Sequence, residues 1–246
     1  MRIDLLTLFP EFFASPLSQS MLHRAQVQGA VTYRVINLRD FATDRHQVTD
    51  DRPFGGGPGM VMKIEPLVAA IRESKAEDPE TRVILLGPGG AAFNQAKARE
   101  LAGKSHLLLI CGHYEGVDDR IHFYIDEELS IGDYILTGGE IPALIVADAV
   151  TRLLPGVLGG EGATEEESFQ DGLLEYPHYT RPRVFEGHEV PQVLLEGDHR
   201  RIARWRRQQA MARTVTRRPD LLARAVLSKE DREFIKSLAV SQAENR

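Results

Sequence analysis

Residues 130–140 read Ser130-Ile131-Gly132-Asp133-Tyr134-Ile135-Leu136-Thr137-Gly138-Gly139-Glu140. A short apolar stretch, Tyr134-Ile135-Leu136, lies between glycines, and a helix opens at Pro142. Proline suits the first helical turn, where its missing N–H costs nothing. Glycine on both flanks lets the main chain approach a ligand closely enough for backbone N–H and C=O groups to read it. Two similar punctuations lie upstream, Leu85-Leu86-Gly87-Pro88-Gly89-Gly90 and Cys111-Gly112-His113-Tyr114-Glu115-Gly116. Each follows an apolar, strand-like run. Ligands of α/β folds bind beyond the carboxyl ends of parallel strands, so three strand ends carrying glycine turns predict one small-molecule site.

Working outward, strand-like and helix-like segments alternate. Residues 3–8, 32–36, 82–86, 107–111 and 134–136 read as strands. Residues 18–28, 65–75, 92–102 and 142–154 read as helices, the last stopped by Pro155-Gly156. Strands separated by helices imply parallel pairing through crossovers, hence an α/β sheet. Residues 159–171 carry glycines and the acids Glu161, Glu165, Glu166, Glu167 and Asp171, and read as a mobile linker. Beyond them 198–216, 221–225 and 229–238 are patterned as helices, with Asp198 as N-cap and Pro219 as a stop.

A chain of 246 residues fits one large domain, or one domain and a small one. No apolar run approaches a membrane span, and the start carries Asp4 inside too short an apolar stretch for a secretion signal. The single cysteine, Cys111, excludes an internal disulfide and reads as a buried structural thiol. Together these features point to the cytoplasm. Charge is uneven. Residues 1–172 hold 15 Lys and Arg against 26 Asp and Glu, a net of −11, whereas 173–246 hold 15 against 10, a net of +5. Residues 199–218 contain eight arginines and no acid. Such asymmetry predicts a nucleic-acid-facing segment attached to a domain with another task, and the guanidinium fork matches phosphate. Arg200, Arg204 and Arg207, with Arg201 alongside, fall on one helical face, while Ile202, Trp205 and Ala212 form a packing stripe. The alternative is that the arginines pair with acids of residues 161–171.

Two cofactor motifs are set aside. Gly87-x-Gly89-x-x-Ala92 imitates a dinucleotide fingerprint, but Pro88 stiffens its turn and no acid ends a strand about 20 residues later. Gly103-Lys104-Ser105 imitates the end of a phosphate loop, but Ala98 stands where its first glycine belongs. The eight histidines lack the spacing of metal ligands. The loop Phe54-Gly55-Gly56-Gly57-Pro58-Gly59-Met60 matches neither nucleotide motif, and Asp50-Asp51-Arg52 beside it offers polar groups for a substrate.

Phe9-Pro10-Glu11-Phe12-Phe13, Asp44-Arg45-His46, residues 50–60, 111–116 and 130–140, Pro155-Gly156-Val157-Leu158-Gly159 and Pro177-His178-Tyr179-Thr180-Arg181-Pro182 follow in this order. From residue 1 to about 235 the chain resembles the bacterial tRNA (guanine-N1)-methyltransferases of the SPOUT class. The resemblance implies a parallel α/β cofactor-binding domain with a deep trefoil knot over residues 1–160, an acidic linker over 161–172 and a helical tRNA-binding domain over 173–246. It implies a homodimer whose active site forms between subunits, S-adenosyl-L-methionine as methyl donor, and magnesium.

Carried over residue by residue, the resemblance assigns the methyl donor to three loops. Leu85, Leu86, Gly87 and Pro88 form the first, and Gly112, Tyr114, Glu115 and Gly116 the second. Ile131, Gly132, Asp133, Tyr134, Ile135, Leu136, Gly138 and Gly139 form the third. Asp50, Arg52, Gly57 and Gly59 are expected to meet substrate. The product is N1-methylguanosine just 3′ of the anticodon, at tRNA position 37. Guanine N1 keeps its proton at neutral pH, so a general base is needed, and charge moving onto O6 needs a cation. Arg152 matches the family's arginine before Pro155-Gly156. The family's aspartate before Ser-Phe is a glutamate here. Glu167 keeps register and charge but reaches farther by roughly 1.5 Å, and Glu166 is the alternative. Two other readings remain at this stage, a non-catalytic RNA-binding protein and a nicotinamide-dependent oxidoreductase built on residues 87–92.

Overall fold

The computed structural model describes residues 1–159 and 167–244, the last six of these in backbone only. The strands of the first half are β1 (Arg2–Thr7), β2 (Thr32–Asn37), the two-residue β3 (Asp50–Asp51) and β4 (Val61–Met62), β5 (Arg82–Ala92), β6 (His106–Cys111) and β7 (Glu127–Ser130). The helices are α1 (Ala14–Leu17), α2 (Ser20–Val27), α3 (Ile64–Glu77), α4 (Gln95–Ala102) and α5 (Glu140–Thr151). The chain divides into two compact units, Met1–Gly159 and Gly160–Arg246.

In the first unit every residue of β1 after Arg2 is buried, as expected of a central strand in a parallel sheet covered on both faces. The sheet runs β2-β1-β6-β5-β7 with every pair parallel. Strand side chains alternate between two cores. Ile3, Leu5, Leu107 and Leu109 pack with Ala25, Leu101, Val146 and Val150, from α2, α4 and α5. Leu6, Leu108, Ile110 and Val83 pack with Leu67, Ala70 and Ile71 of α3. The result is a three-layer α/β unit.

At the amino-terminal edge of the sheet one carboxylate ties strands and helix together. Asp4, fully buried, accepts hydrogen bonds from Arg2 (2.8 Å), Arg34 of β2 (2.7 Å), His106 of β6 (3.0 Å) and Ser74 of α3 (3.3 Å). Burial alone would raise its pKa. The hydrogen bonds from Arg2, Arg34 and His106 outweigh that and hold the carboxyl below its usual range.

Two expected elements differ. Residues 134–136 form no strand, since Gly132 at φ +144° turns the chain and the segment bends in the open. The fifth strand of the sheet is instead β7, Glu-Glu-Leu-Ser, whose Glu127 pairs with Arg82 and Lys97. The helix expected over 92–102 begins at Gln95, because Asn94 caps it by accepting from the Lys97 N–H. Residues 87–92 belong to β5, which shifts register on β7 between Leu86 and Ala91. They are strand, not a turn opening a helix, which removes the dinucleotide reading.

The second unit contains a hairpin of β8 (Val184–Phe185) and β9 (His188–Glu189), then α6 (His199–Arg217) and α7 (Lys229–Glu244). Asp198 caps α6 through the N–H groups of Arg200 and Arg201. Residues 219–223 form a 3-10 turn rather than an α-helix. The core stripe of α6 is Ala210, Met211 and Thr214, packed with Leu173, Leu222 and Phe234. The expected stripe of Ile202, Trp205 and Ala212 is only half-buried, and Trp205 tilts against Tyr179 with ring centroids 6.3 Å apart. No helix among the described residues is long and apolar enough to cross a membrane.

Candidate active site

Because β6, β5 and β7 are adjacent and parallel, Leu85–Pro88 within β5, which are strand and not the expected glycine turn, and the loops leaving β6 and β7 line one cavity of about 420 Å³. That volume suits a small organic ligand. The cavity gathers every residue expected in the three loops except Asp133. The loops are locked together by backbone. Gly139 N–H donates to Gly112 O at 2.8 Å, and His113 bridges Gly138. A Cβ on Gly139 would stand 2.6 Å from the Cys111 Cα and 2.9 Å from the Gly112 nitrogen, so only glycine lets these two loops touch. Tyr114, at φ +61°, holds the left-handed conformation that side chains other than glycine rarely take. Such strain collects at binding loops.

Several lining residues escaped the sequence reading. Glu128 of β7 lies against Gly87 and Gly89, and its place became visible only with β7 itself. His113 lies between the rings of Phe9 (4.8 Å) and Tyr114 (4.9 Å), with its Nδ1 buried and 4.0 Å from Glu140. The Glu140 carboxylate is buried at the start of α5 and accepts from the Thr7 hydroxyl at 2.7 Å. Burial, with Glu140 nearby, pushes the Cys111 thiol well up, consistent with a structural role.

The expected substrate residues divide. Asp50 is half-buried in the β3–β4 pair, and Gly59 packs on the side chain of Glu115, bringing that end of the loop to the cavity wall. Arg52 and Gly57 stand in the open. Arg152 is half-buried just past α5, its N–H donating to Asp148 O at 3.1 Å. Beside it Thr151 shares a hydrogen bond with Tyr33.

In the second unit Glu167 is half-buried and lines a separate cavity of about 240 Å³ with Leu173, Tyr176 and Arg206. The Arg206 guanidinium lies 4.7 Å from the Tyr176 ring centroid, a cation–π contact. Phe169, two residues on, has φ +74° and donates its N–H to Leu173 O, so Glu167 leads into a strained turn. Glu161, Glu165 and Glu166, with half of the linker expected over 161–172, lie outside the described residues. Of the arginines on α6, Arg200 and Arg204 are exposed. Arg207 is bound to Asp231 (3.0 Å), Asp171 (3.5 Å) and Val226 O (2.8 Å), the acid-pairing alternative realised at one position. Among the described residues no group of three or more His, Cys, Asp or Glu is placed to hold a metal ion.

Comparison with known proteins follows the same lines. Residues 1–224 match the family described as tRNA (Guanine-1)-methyltransferase TrmD. The chain belongs to this family. Proteins named tRNA (guanine-N(1)-)-methyltransferase are similar over nearly their whole length. That of Moorella thermoacetica is 55% identical over 99% of both chains. That of Geobacter metallireducens is 52% identical over 97% of this chain and 98% of its own. That of Carboxydothermus hydrogenoformans is 57% identical over 94% and 91%.

Proposed function

We propose that this chain methylates N1 of the guanosine 3′ of the anticodon, position 37, in tRNA, with S-adenosyl-L-methionine as donor. The observation that carries this reading is the cavity formed by β5 and the loops leaving β6 and β7, lined by backbone and glycine in a member of a tRNA (guanine-1)-methyltransferase family. Its residues fit the donor. Apolar Leu85, Leu136 and Ile131 face an adenine well, and the close approach at Gly139 leaves main-chain groups to read polar edges. Bound there, the donor supplies a methyl group already activated on a sulfonium.

The protein's task is then positioning, proton removal and charge stabilisation. The Glu167 carboxylate accepts the N1 proton as N1 takes the methyl group, which leaves its sulfur as a neutral thioether. The Arg152 guanidinium meets the charge on O6. Arg152 belongs to the first unit and Glu167 to the second, and we assign them to one site built between two copies of the chain. Exposed Ile141 and Ile145 on α5, with Phe9 and Phe12, give the first unit an apolar face suited to a second copy. Exposed Arg200 and Arg204 contact tRNA phosphates, making residues 173–246 the tRNA-binding domain and 161–172 its linker to the cofactor-binding domain, in a cytoplasmic enzyme. The trefoil knot in residues 1–160 is part of this reading through the family, and the 112–116 and 131–139 loops that it would bring together are bonded at Gly112–Gly139 and His113–Gly138. Among the described residues no cluster of three or more His, Cys, Asp or Glu offers a magnesium site.

Incubation with methyl-labelled donor and unmodified tRNA tests the reading. Label is expected in the tRNA. A protein that binds both molecules without transfer would restore the non-catalytic RNA-binding reading.

A further inference from the structure

The loop joining β3 to β4, which carries the expected substrate residues Arg52, Gly57 and Gly59, has two ends of different character. Its returning arm is fastened to the methyl-donor pocket. Glu115 N–H donates to Met60 O at 3.0 Å, Met62 N–H donates to Gly116 O at 2.9 Å, and Gly59 leaves no room for a Cβ against the Glu115 side chain. Its tip touches nothing. Gly56 N–H donates to Pro53 O at 3.3 Å, closing a turn with Phe54 and Gly55 at its centre. Gly55 at φ +86° supplies the left-handed value that a type II turn needs there. Gly56 and Gly57 are also left-handed, at φ +77° and +125°, and a Cβ on any of the three would meet no atom within 4 Å. Phe54 is 102% exposed, the most exposed large hydrophobic side chain among the described residues.

A phenyl ring held in water, on a glycine-rich loop whose returning arm is fastened to a pocket wall, has the form of a stacking platform. Proteins that read unpaired RNA lay its bases on aromatic faces, and stacking tolerates any base because each has a π-face. Arg52, exposed two residues earlier, adds a cation for the neighbouring phosphate. We infer that Phe54 stacks on an unpaired nucleobase of the tRNA beside the target guanine. Through Gly59 and Glu115 this contact is joined to the wall of the methyl-donor pocket, so seating of the RNA and of the donor share one structural element. The inference rests on the tRNA reading above. The competing occupant is a second copy of this chain. An exposed ring with an adjacent cation suits a nucleotide, whereas Ile141 and Ile145, exposed on α5 without such a cation in that helix, suit a second copy.

The test uses the full chain and the variants Phe54→Ala, Phe54→Leu and Phe54→Tyr. Unmodified tRNA is bound at fixed salt by filter retention, S-adenosylmethionine by calorimetry, and association is followed by sedimentation. Alanine and leucine are expected to weaken tRNA binding on the order of ten-fold, whereas tyrosine stays within about two-fold. Donor affinity, Tm and sedimentation stay unchanged, because the ring touches nothing in the chain. Wild-type tRNA affinity in Phe54→Ala overturns the inference, and so does leucine serving as well as phenylalanine. A changed sedimentation coefficient would assign Phe54 to a contact between copies. If the wild type fails to methylate tRNA, the functional reading itself falls. If the wild type methylates while Phe54→Ala binds tRNA undiminished, only the stacking role falls.

Discussion

Gly139→Ala is a small perturbation with a large expected effect. Gly139 has φ −83°, a conformation open to any residue, so the strain is one of space. The added Cβ would lie 2.6 Å from the Cys111 Cα and 2.9 Å from the Gly112 nitrogen, and backbone cannot swing aside as a side-chain tip can. To regain van der Waals contact the two loops must part by roughly 0.8 Å. That movement stretches the 2.8 Å bond from Gly139 N–H to Gly112 O, worth about 1 kcal/mol. It adds overpacking strain of about 1–3 kcal/mol. Together the loss is roughly 2–4 kcal/mol of stability, visible as a lower urea midpoint at unchanged m. The moving parts form the donor pocket, and misplacement near 1 Å costs on the order of 10²-fold in rate. Gly103→Ala is the control, since its Cβ would meet only Glu100 O at 3.4 Å, in helical backbone. Wild-type stability and donor affinity in Gly139→Ala would refute the view that the loops are held by contact at this glycine.

Asp4→Asn should cost about 3 kcal/mol, because it leaves Arg2, Arg34 and His106 around a neutral group. Since the folded Asp4 pKa lies below the ordinary carboxylate value of about 3.9, its contribution is present above that pH and lost as pH falls through the folded value. Denaturation midpoints of wild type and variant, taken from neutral pH downward, should converge in acid. Glu167→Gln should lower turnover by roughly 10²–10⁴ while calorimetry finds donor binding unchanged, whereas an active Glu167→Gln beside a dead Glu166→Gln would move the base by one residue. Replacing Arg200 and Arg204 by alanine should flatten the salt dependence of tRNA binding by about 1.5 in log–log slope. Arg207→Ala should instead lower Tm, since it frees the buried Asp231.

The site was legible in the sequence wherever glycine was required for closeness. Gly139 marks a place where main chain meets main chain and Gly87 one where main chain meets the Glu128 side chain, and spacing after apolar runs located them. β7 was not legible, because Glu127 and Glu128 read as loop. Their charges are tolerated because Glu127 pairs with Arg82 and Lys97, a tertiary fact. Residues 134–136 looked like a strand for the opposite reason. Their apolar side chains stand exposed, with Ile135 at 85%, and pattern cannot tell a buried run from a ligand-facing one. On α6 the apolar positions of 202 and 205 outweighed Ala210 and Met211 in the sequence, and only packing against Leu173 and Phe234 shows which stripe is core. Arg207 likewise looked equivalent to Arg200 and Arg204 until Asp231 and Asp171 appeared beside it.

The central claim is tested most directly by locating the methyl group. Unmodified tRNA with guanosine at position 37 is incubated with the protein and S-adenosylmethionine, digested with nuclease and sequenced by mass spectrometry. The account predicts a single added methyl at the nucleotide 3′ of the anticodon, released as N1-methylguanosine and absent when that guanosine is replaced by adenosine. Methylation of another nucleotide, or of another atom of the same guanine, would contradict it.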